Sequence, residues 1–269
     1  MLFRLNGHKN TQERCIHLRL KQAKYEELMA RLNGIADVDE IHKTQQIPRS
    51  TLLSLLAHKM VRETMRIFYS VKAKSKQLTL DWENGKHIND IARVCKLAPT
   101  LCASFIMSEK GFSKISFRQA VRDPSKIKDE RLRKELAEAI KDDFIYSDWA
   151  AEEQRARGEA HERKLGEWLA KHGYEFWTEK DRQGEEKTPD FLLKKSSTFK
   201  GRHVHWFESK GYFGDGWEIS RNYTKQLKKY VELFGPGVVV YCLGFVEDLK
   251  LPPDFNKNIM LTDEDDYKD

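Results

Sequence analysis

The chain has 269 residues, of which 39% are hydrophobic and 33% are charged, and its net charge is +6. This length and apolar content suit one large or two ordinary globular domains and exclude a disordered chain. No run of about 18 apolar residues occurs, and roughly the first 30 residues hold no apolar signal core, so we expect no membrane span, no secretory signal, and a location in the nucleus and cytoplasm.

The positive charge is concentrated in the first half of the chain. Residues 1–150 carry 28 Lys and Arg against 19 Asp and Glu, whereas residues 151–269 carry 20 against 23. A basic half suits binding to nucleic-acid phosphates, although a solvated basic surface explains the charge equally well. The four cysteines form no C-x-x-C pair, so we expect reduced thiols rather than a zinc site or a disulfide framework.

Residues 1–150 are predicted to form a basic, all-helical domain. Apolar residues recur at helical spacing in residues 20–32, 52–60 and 129–143, and no strand-like run interrupts residues 20–150. Two short helical runs, 88–96 and 101–107, flank a turn in which Pro99 suits a helix's first turn. This arrangement fits a helix-turn-helix and an ordinary antiparallel helix pair equally well, because no base-reading residue stands out.

The pattern changes after Arg157, and residues 151–250 are predicted to form an α/β domain. Helical periodicity gives way to aromatic alternation, then to two strands joined by a polar loop, then to a helix and an apolar strand. The order αβββαβ predicts a mixed sheet flanked by helices, so the whole chain is α+β. Residues 251–269 are Pro- and Asp-rich and are predicted to be a peripheral, solvated acidic tail.

Candidate catalytic residues lie on the two consecutive strands of this domain. Pro189-Asp190 opens the first, and Glu208 and Lys210 share one face near the end of the second, because side chains alternate along a strand. Hairpin pairing brings Asp190 beside Glu208, where carboxylates and the Ser209 carbonyl suit Mg²⁺ or Mn²⁺. Such an ion activates water for phosphodiester hydrolysis, and Lys210 orients the water or balances charge in the transition state.

The chain contains similar pairs outside this setting. Glu162-x-Lys164 and Asp248-x-Lys250 repeat the acid-x-Lys spacing, and Pro253-Asp254 repeats the Pro-Asp dipeptide. Only Glu208-x-Lys210 ends an alternating strand, and only Pro189-Asp190 begins the strand before it. In a chain this rich in charge, a chance pairing remains the alternative.

Two further residues are candidates for the same site. Glu162 borders the buried stripe of the predicted helix 158–172, where a metal would compensate its burial, although a solvated acid is an equal alternative. Gln226 shares a helical face with Tyr223 and Tyr230 and is expected to face the same cleft. The histidines of the second strand, on the opposite face from Glu208, are favoured for structural or surface roles over metal binding.

This pattern resembles the PD-(D/E)XK nuclease superfamily, which includes archaeal Holliday-junction resolvases. Longer strings over residues 20–250 are similar to its eukaryotic codanin-interacting members: Lys187-Thr188-Pro189-Asp190-Phe191, His205-Trp206-Phe207-Glu208-Ser209-Lys210, Phe213-Gly214-Asp215, Phe234-Gly235-Pro236-Gly237, Arg122-Asp123-Pro124-Ser125 and Leu97-Ala98-Pro99-Thr100. The resemblance places Glu162, Asp190, Glu208 and Lys210 at the catalytic positions and Gln226 at the helix position that follows them.

The resemblance implies a resolvase-like nuclease that acts on branched or structured DNA, binds codanin, and works in a nuclear chromatin-assembly pathway, with a homodimer as one possible form. The alternative function is a nuclease fold retained as a scaffold that binds codanin with weak or no cutting. Two carboxylates and a lysine converging at one point favour chemistry over a scaffold, because a scaffold has no physical need for them.

Overall fold

The structure is a computed structural model that describes residues 19–182, 184 and 187–267. It is α+β, with a helical N-terminal half and a mixed sheet, as predicted, but the sheet has five strands where the predicted order αβββαβ has four. The described residues form two compact units: those up to Leu53 belong with those from Leu165 onward, and Ser54–Lys164 form the other unit. The first unit holds the sheet and most of the candidate site.

The N-terminal half is built from nine α-helices within the described residues and one short 3₁₀ turn at Pro124–Lys126. In chain order the helices are α1 (Gln22–Arg31), α2 (Ile35–Gln45), α3 (Arg49–Lys72), α4 (Ser75–Glu83), α5 (Ile88–Cys95), α6 (Pro99–Glu109), α7 (Lys114–Arg122), α8 (Glu130–Asp142) and α9 (Asp148–Lys171). Helices α2, α4 and α7 were not predicted, and α9 begins ten residues before the predicted start at residue 158.

Helices α4 to α8 share one apolar core in the unit Ser54–Lys164, and a buried carboxylate fixes their packing. Glu135 on α8 accepts hydrogen bonds from the Trp82 indole at 3.0 Å, from the Ile88 N–H at 2.9 Å and from Arg131 at 2.8 Å. These three donors satisfy its oxygens, so its burial costs little.

The α5–α6 pair is packed into this core. The two helices meet at 111°. Six residues of α6 are buried, namely Thr100, Cys102, Ala103, Phe105, Ile106 and Met107, whereas Leu101 and Ser104 are partly buried and Ser108 is exposed on the face that the three share. A recognition helix needs an open face for a DNA groove. Most of α6 is packed into the core and one narrow face is left open, so the choice between a helix-turn-helix and an ordinary helix pair stays a prediction.

The five-stranded sheet has the order β2-β3-β4-β5-β7, with antiparallel pairing as far as β4 and parallel pairing from β4 to β7. The strands of the described chain are β1 (Arg19–Leu20), β2 (Phe176–Thr178), β3 (Phe191–Phe199), β4 (Arg202–Lys210), β5 (Gly237–Tyr241), β6 (Phe245–Val246) and β7 (Ile259–Thr262). β1 and β6 form a separate parallel pair.

Helices cover both faces of the sheet in this unit. Leu165 and Leu169, at the end of α9, pack with Phe207 and Val240 on one face. The other face carries α10 (Gly216–Asn222), a π-helical turn (Tyr223–Leu227) and α11 (Lys228–Phe234). Ile219, Leu227 and Tyr230 from these helices pack with Trp206 and Tyr241, the cluster that adjoins the candidate site.

The structure corrects the prediction for residues 251–269. After the short helix α12 (Pro253–Asn258), the described part of this segment adds β7 to the sheet beside β5. Asp263 and Glu264 are only 1% and 2% exposed. Arg19 donates two hydrogen bonds to Asp263, at 2.9 and 3.0 Å. The acidic run is therefore part of the sheet domain rather than a solvated tail.

The compact units also differ from the predicted boundary at residue 150. Residues 19–53 belong with the sheet rather than with the helical unit. The hydroxyl of Thr51 donates to the Leu243 carbonyl at 3.1 Å, and the Gln22 N–H donates to Asp248 at 2.7 Å. These contacts join positions about 190 to 230 residues apart, a separation that no local pattern reveals.

Among the described residues, no single helix is long and apolar enough to cross a membrane. Only α5 and α6 taken together, across their bend, reach the required length and hydropathy.

Candidate active site

The strand register places Asp190 beside Glu208. Phe191, the first residue of β3, pairs with Phe207 on β4, so Asp190 lies next to the residue that follows Phe207. The Asp190 N–H donates to Oε2 of Glu208 at 3.2 Å, and the Ser209 N–H donates to Oδ2 of Asp190 at 2.7 Å. Two carboxylates are thus brought to the same end of the hairpin.

Glu208 lies at the centre of a buried polar cluster and is only 3% exposed. Its Oε1 accepts from the Lys210 ammonium at 2.7 Å and from the Gln226 amide at 3.0 Å. The Lys210 side chain is 13% exposed and also donates to Oε1 of Gln226 at 2.9 Å. The alternation of β4 accounts for the pair, because Glu208 and Lys210 project from the same face.

Gln226 reaches the cluster from the π-helical turn Tyr223–Leu227, which interrupts the run from α10 to α11. Such insertions occur mostly as single turns and frequently at functional sites. The Gln226 amide bridges Glu208 and Lys210, so it holds the carboxylate and the ammonium in register. The structure therefore brings together four of the predicted residues: Asp190, Glu208, Lys210 and Gln226.

Tyr230 is a further member of the cluster that the sequence reasoning assigned only to a helical face. Its hydroxyl accepts from the Gln226 amide at 2.7 Å and donates to the Thr188 carbonyl at 2.6 Å. Because the hydroxyl proton goes to Thr188, the Tyr230 oxygen is free to accept and selects the N–H side of the Gln226 amide. The i, i+4 spacing of Gln226 and Tyr230 is the signal that would have found it.

The cluster shifts the pKa of two of its members upward. Burial lowers the pKa of Lys210, but the charge of Glu208, the nearby Tyr212, the hydrogen bond to Glu208 and the charge of Asp190 together raise it above its usual value. For Tyr230, burial raises the pKa, and the negative charges of Glu208 and Asp190 raise it more. The hydrogen bond from Gln226 lowers it by a smaller amount. At neutral pH, Lys210 is therefore an ammonium and Tyr230 a neutral hydroxyl.

The cluster suits a divalent cation by its charge and its donor atoms. Asp190 and Glu208 contribute two negative charges, and Lys210 offsets one of them. Glu208 is buried and Asp190 is partly buried, and their carboxylates meet at the same end of the hairpin. Carboxylate oxygens are the ligands that Mg²⁺ and Mn²⁺ prefer. The residues present therefore fit the predicted metal.

Two predicted ligands are not tested by this geometry. Glu162 is an exposed residue of α9 and lies in the unit Ser54–Lys164, whereas the other site residues lie in the sheet unit. Its role as a metal ligand stays a prediction. Ser209 lies in the cluster through its N–H, and its hydroxyl is 3.4 Å from the Cys242 sulfur. The use of its carbonyl as a ligand also stays a prediction.

The histidines of β4, Asp215 and Asp254 lie in other surroundings. His203 is exposed, and the ring of His205 lies against the turn at Gly235. Asp215 is buried and accepts from the N–H groups of Trp217 and Glu218, so it caps the start of α10. Asp254, the acid of the second Pro-Asp dipeptide, is an exposed residue of α12.

Comparison with known proteins connects this site to a family. The family model described as "Protein of unknown function TPD sequence-motif" matches residues 128–265, a range that includes Thr188-Pro189-Asp190. CDAN1-interacting nuclease 1 of Homo sapiens is 32% identical over 169 residues, which cover 60% of each chain. The protein of the same name from Danio rerio is 28% identical, and the match covers 89% of this chain and 87% of the relative. The one from Xenopus laevis is 27% identical, and the match covers 86% of this chain and 84% of the relative.

The match spans 60% of the length of the human relative. No solved structure matches this chain.

Proposed function

The chain belongs to the TPD sequence-motif family, and on that premise we propose that it is a divalent-metal-dependent nuclease of PD-(D/E)XK type that hydrolyses phosphodiester bonds of DNA. One observation carries the proposal: Asp190, Glu208, Lys210 and Gln226 form a single hydrogen-bonded cluster around a buried carboxylate. The word "nuclease" in the names of the relatives supports it.

Asp190 and Glu208 would hold the cation, with the Ser209 carbonyl as a further ligand. When bound, a divalent cation lowers the pKa of water and balances the negative charge of the transition state. Lys210 supplies a fixed positive charge beside Glu208, where it stabilises charge that develops on a phosphate oxygen. Gln226 and Tyr230 keep that ammonium in place, since their hydrogen bonds link Lys210 to the loop at Thr188.

The substrate and setting belong to the same proposal. The resolvase-like pattern favours branched or otherwise structured DNA, and a homodimer would suit a symmetric junction. The relatives' name supports codanin as a partner, and with it a chromatin-assembly role in the nucleus and cytoplasm. The second candidate is a scaffold that binds codanin without cutting, and the relatives' interaction name favours it equally.

A cleavage assay separates the two candidates. The purified chain is incubated with flap, junction and single-stranded DNA, with Mg²⁺ or Mn²⁺ and with EDTA. We expect metal-stimulated cleavage that Asp190→Ala and Glu208→Ala reduce by at least about a hundredfold, whereas codanin capture is unchanged. Asp254→Ala is the matched control, because Asp254 also follows a proline and is exposed.

Absence of metal-stimulated cleavage on every substrate, with codanin capture retained, supports the scaffold. Equal cleavage by the two alanine variants and the wild type shows that another site or a contaminant cuts the DNA.

A further inference from the structure

An exposed tryptophan lies at the edge of the sheet, on the face of the candidate site. Trp177 on β2 pairs with Leu192, and Leu192 pairs with Trp206 on β4. Directly paired residues project from the same face, and Glu208 follows two residues after Trp206. Trp177 therefore shares its face with Glu208, yet it is 40% exposed. From strand spacings of about 4.8 Å and rises of about 3.4 Å per residue, their backbones lie about 12 Å apart.

Two basic side chains lie against this tryptophan. The Arg182 guanidinium is 5.8 Å from the centre of the Trp177 ring, and the Lys194 ammonium is 6.0 Å from it. Arg182 is the last residue of the short 3₁₀ turn Glu179–Arg182. Asp181 fixes this turn, because its carboxylate accepts from the N–H and hydroxyl of Thr178 at 2.8 and 2.7 Å. Glu179, Lys180 and Asp181 of this turn are exposed, so the turn carries charges of both signs. The charged groups that lie beside the Trp177 ring are the basic side chains of Arg182 and Lys194.

Aromatic rings connect this surface to the catalytic cluster. The Arg182 guanidinium is also 5.4 Å from the Phe234 ring, and Phe234 lies 6.4 Å from the ring of Tyr230. Tyr230 accepts the hydrogen bond from Gln226. We call Trp177, Arg182 and Lys194 the edge platform. Contacts through Phe234 and Tyr230 connect the edge platform to Gln226 on one face of the sheet.

This combination matches the chemistry of an unpaired nucleotide. An exposed aromatic ring stacks on a base without regard to sequence, and adjacent cations contact the phosphates on either side. A base inside a duplex has no free face for such stacking. We propose that the edge platform binds an unpaired base next to the bond that is cut, so the substrate is a nucleic acid with a single-stranded segment at the cleavage site. This inference rests on the proposed nuclease function.

Binding without cutting tests the platform. Fluorescence anisotropy in EDTA measures the Kd of the full chain for labelled oligo(dT) and oligo(U) of about ten nucleotides, and for a blunt duplex of equal length. Trp177→Ala should raise the single-strand Kd about tenfold, the loss of one base–aromatic contact, and leave the duplex Kd unchanged. Trp177→Phe, which keeps an aromatic face, should restore most of the affinity. The oligo(dT) and oligo(U) arms show whether the bound strand is DNA, RNA or both.

Trp217→Ala is the matched control, because Trp217 is 38% exposed and has Arg221 5.2 Å from its ring. Equal single-strand Kd values for Trp177→Ala and the wild type overturn the platform, as does an equal loss in Trp217→Ala or a wild type that binds no single strand. An ordinary surface cation–π pair would give the first of these results. If the chain binds single strands through Trp177 but cuts no substrate, the nuclease proposal fails and the platform stands.

Discussion

The Asp190 N–H donates to Oε2 of Glu208 over 3.2 Å, so the loop before β3 is joined to the carboxylate near the end of β4. The reciprocal bond, from the Ser209 N–H to Asp190, is 2.7 Å long. Each carboxylate is therefore positioned by the backbone of the neighbouring strand. Asp190→Asn can keep the bond from the Ser209 N–H through its amide oxygen, whereas Glu208→Gln loses one acceptor, because both Glu208 oxygens accept hydrogen bonds.

Metal binding should depend on both carboxylates. Asp190→Asn and Glu208→Gln remove the negative charge that a cation would compensate, so we expect Mg²⁺ and Mn²⁺ affinity to fall at least about tenfold in each variant. Isothermal titration calorimetry measures this directly. Asp254→Asn is the control and should bind as the wild type does. Unchanged affinity in Asp190→Asn and Glu208→Gln would place the metal elsewhere.

Tyr230→Phe should slow catalysis without weakening substrate binding. The Tyr230 hydroxyl links the Gln226 amide to the Thr188 carbonyl. Without the hydroxyl, the Gln226 amide is no longer held in the orientation in which it bonds to both Lys210 and Glu208. We expect kcat to fall about 10- to 100-fold, as for other residues that orient a site, with KM unchanged. Tyr223→Phe is the control, because Tyr223 packs against Phe255 nearby in the same helical run. A change in KM alone would contradict this role.

Gly237→Ala should destabilise the sheet unit. A Cβ at this position would lie 2.1 Å from the Trp206 ring, whose indole donates to the Gly235 carbonyl at 2.8 Å. Because the ring is buried between β4 and α11, we expect the free energy of unfolding to fall by about 2–3 kcal/mol. Urea denaturation measures the change. Gly34→Ala is the control, since a Cβ there meets nothing within 4 Å, and an equally stable Gly237→Ala would show that Trp206 moves aside.

Asp266 should make stability depend on pH in the acid range. Burial raises the pKa of Asp266, but hydrogen bonds from Arg19, Lys200 and Thr262 together lower it by more than burial raises it, so its folded-state pKa lies below the usual value. The wild type should exceed Asp266→Asn in unfolding free energy by about 1–2 kcal/mol above about pH 4. This advantage of the wild type should shrink as the pH falls through the lowered pKa. The reason is that the Asp266 carboxyl binds a proton more tightly in the unfolded chain than in the folded one, so protonation favours unfolding.

Urea denaturation at several values between about pH 7 and pH 3 measures this difference. The exposed Asp265 lies on the same turn, and Asp265→Asn is the control, which should change stability much less. A wild-type advantage over Asp266→Asn that grows toward low pH would contradict the assignment.

Much of the fold followed from local pattern. The spacing of apolar residues predicts α1, α8 and the strands β3, β4 and β5, because each needs only a periodic face and local end signals. The site followed for the same reason, since Asp190, Glu208 and Lys210 lie on two consecutive strands joined by a short loop. The π-helical turn was not predicted, because the face that Gln226 presents depends on one extra residue per turn.

Segments distant in the sequence gave no such signal. Residues 251–267 look polar and solvated, yet β7 pairs with β5 and Asp263 binds Arg19, 244 positions away. An acidic run is solvated or buried according to its partner, and the partner here lies near the other end of the described chain. Whether α5 and α6 leave a face open, as a helix-turn-helix requires, likewise depends on which of their residues the neighbouring helices bury.

The sequence alone determined α1, α8, β3, β4, β5 and the short-range constellation of Asp190, Glu208 and Lys210, because helical periodicity, side-chain alternation and hairpin pairing are local properties of the chain. Tertiary structure decided that residues 19–53 join the sheet unit, that the acidic end is buried, that Tyr230 orients Gln226, and that Trp177 shares a face with Glu208. Each of these depends on which distant groups meet, and packing and hydrogen-bond satisfaction settle that only when the whole chain folds.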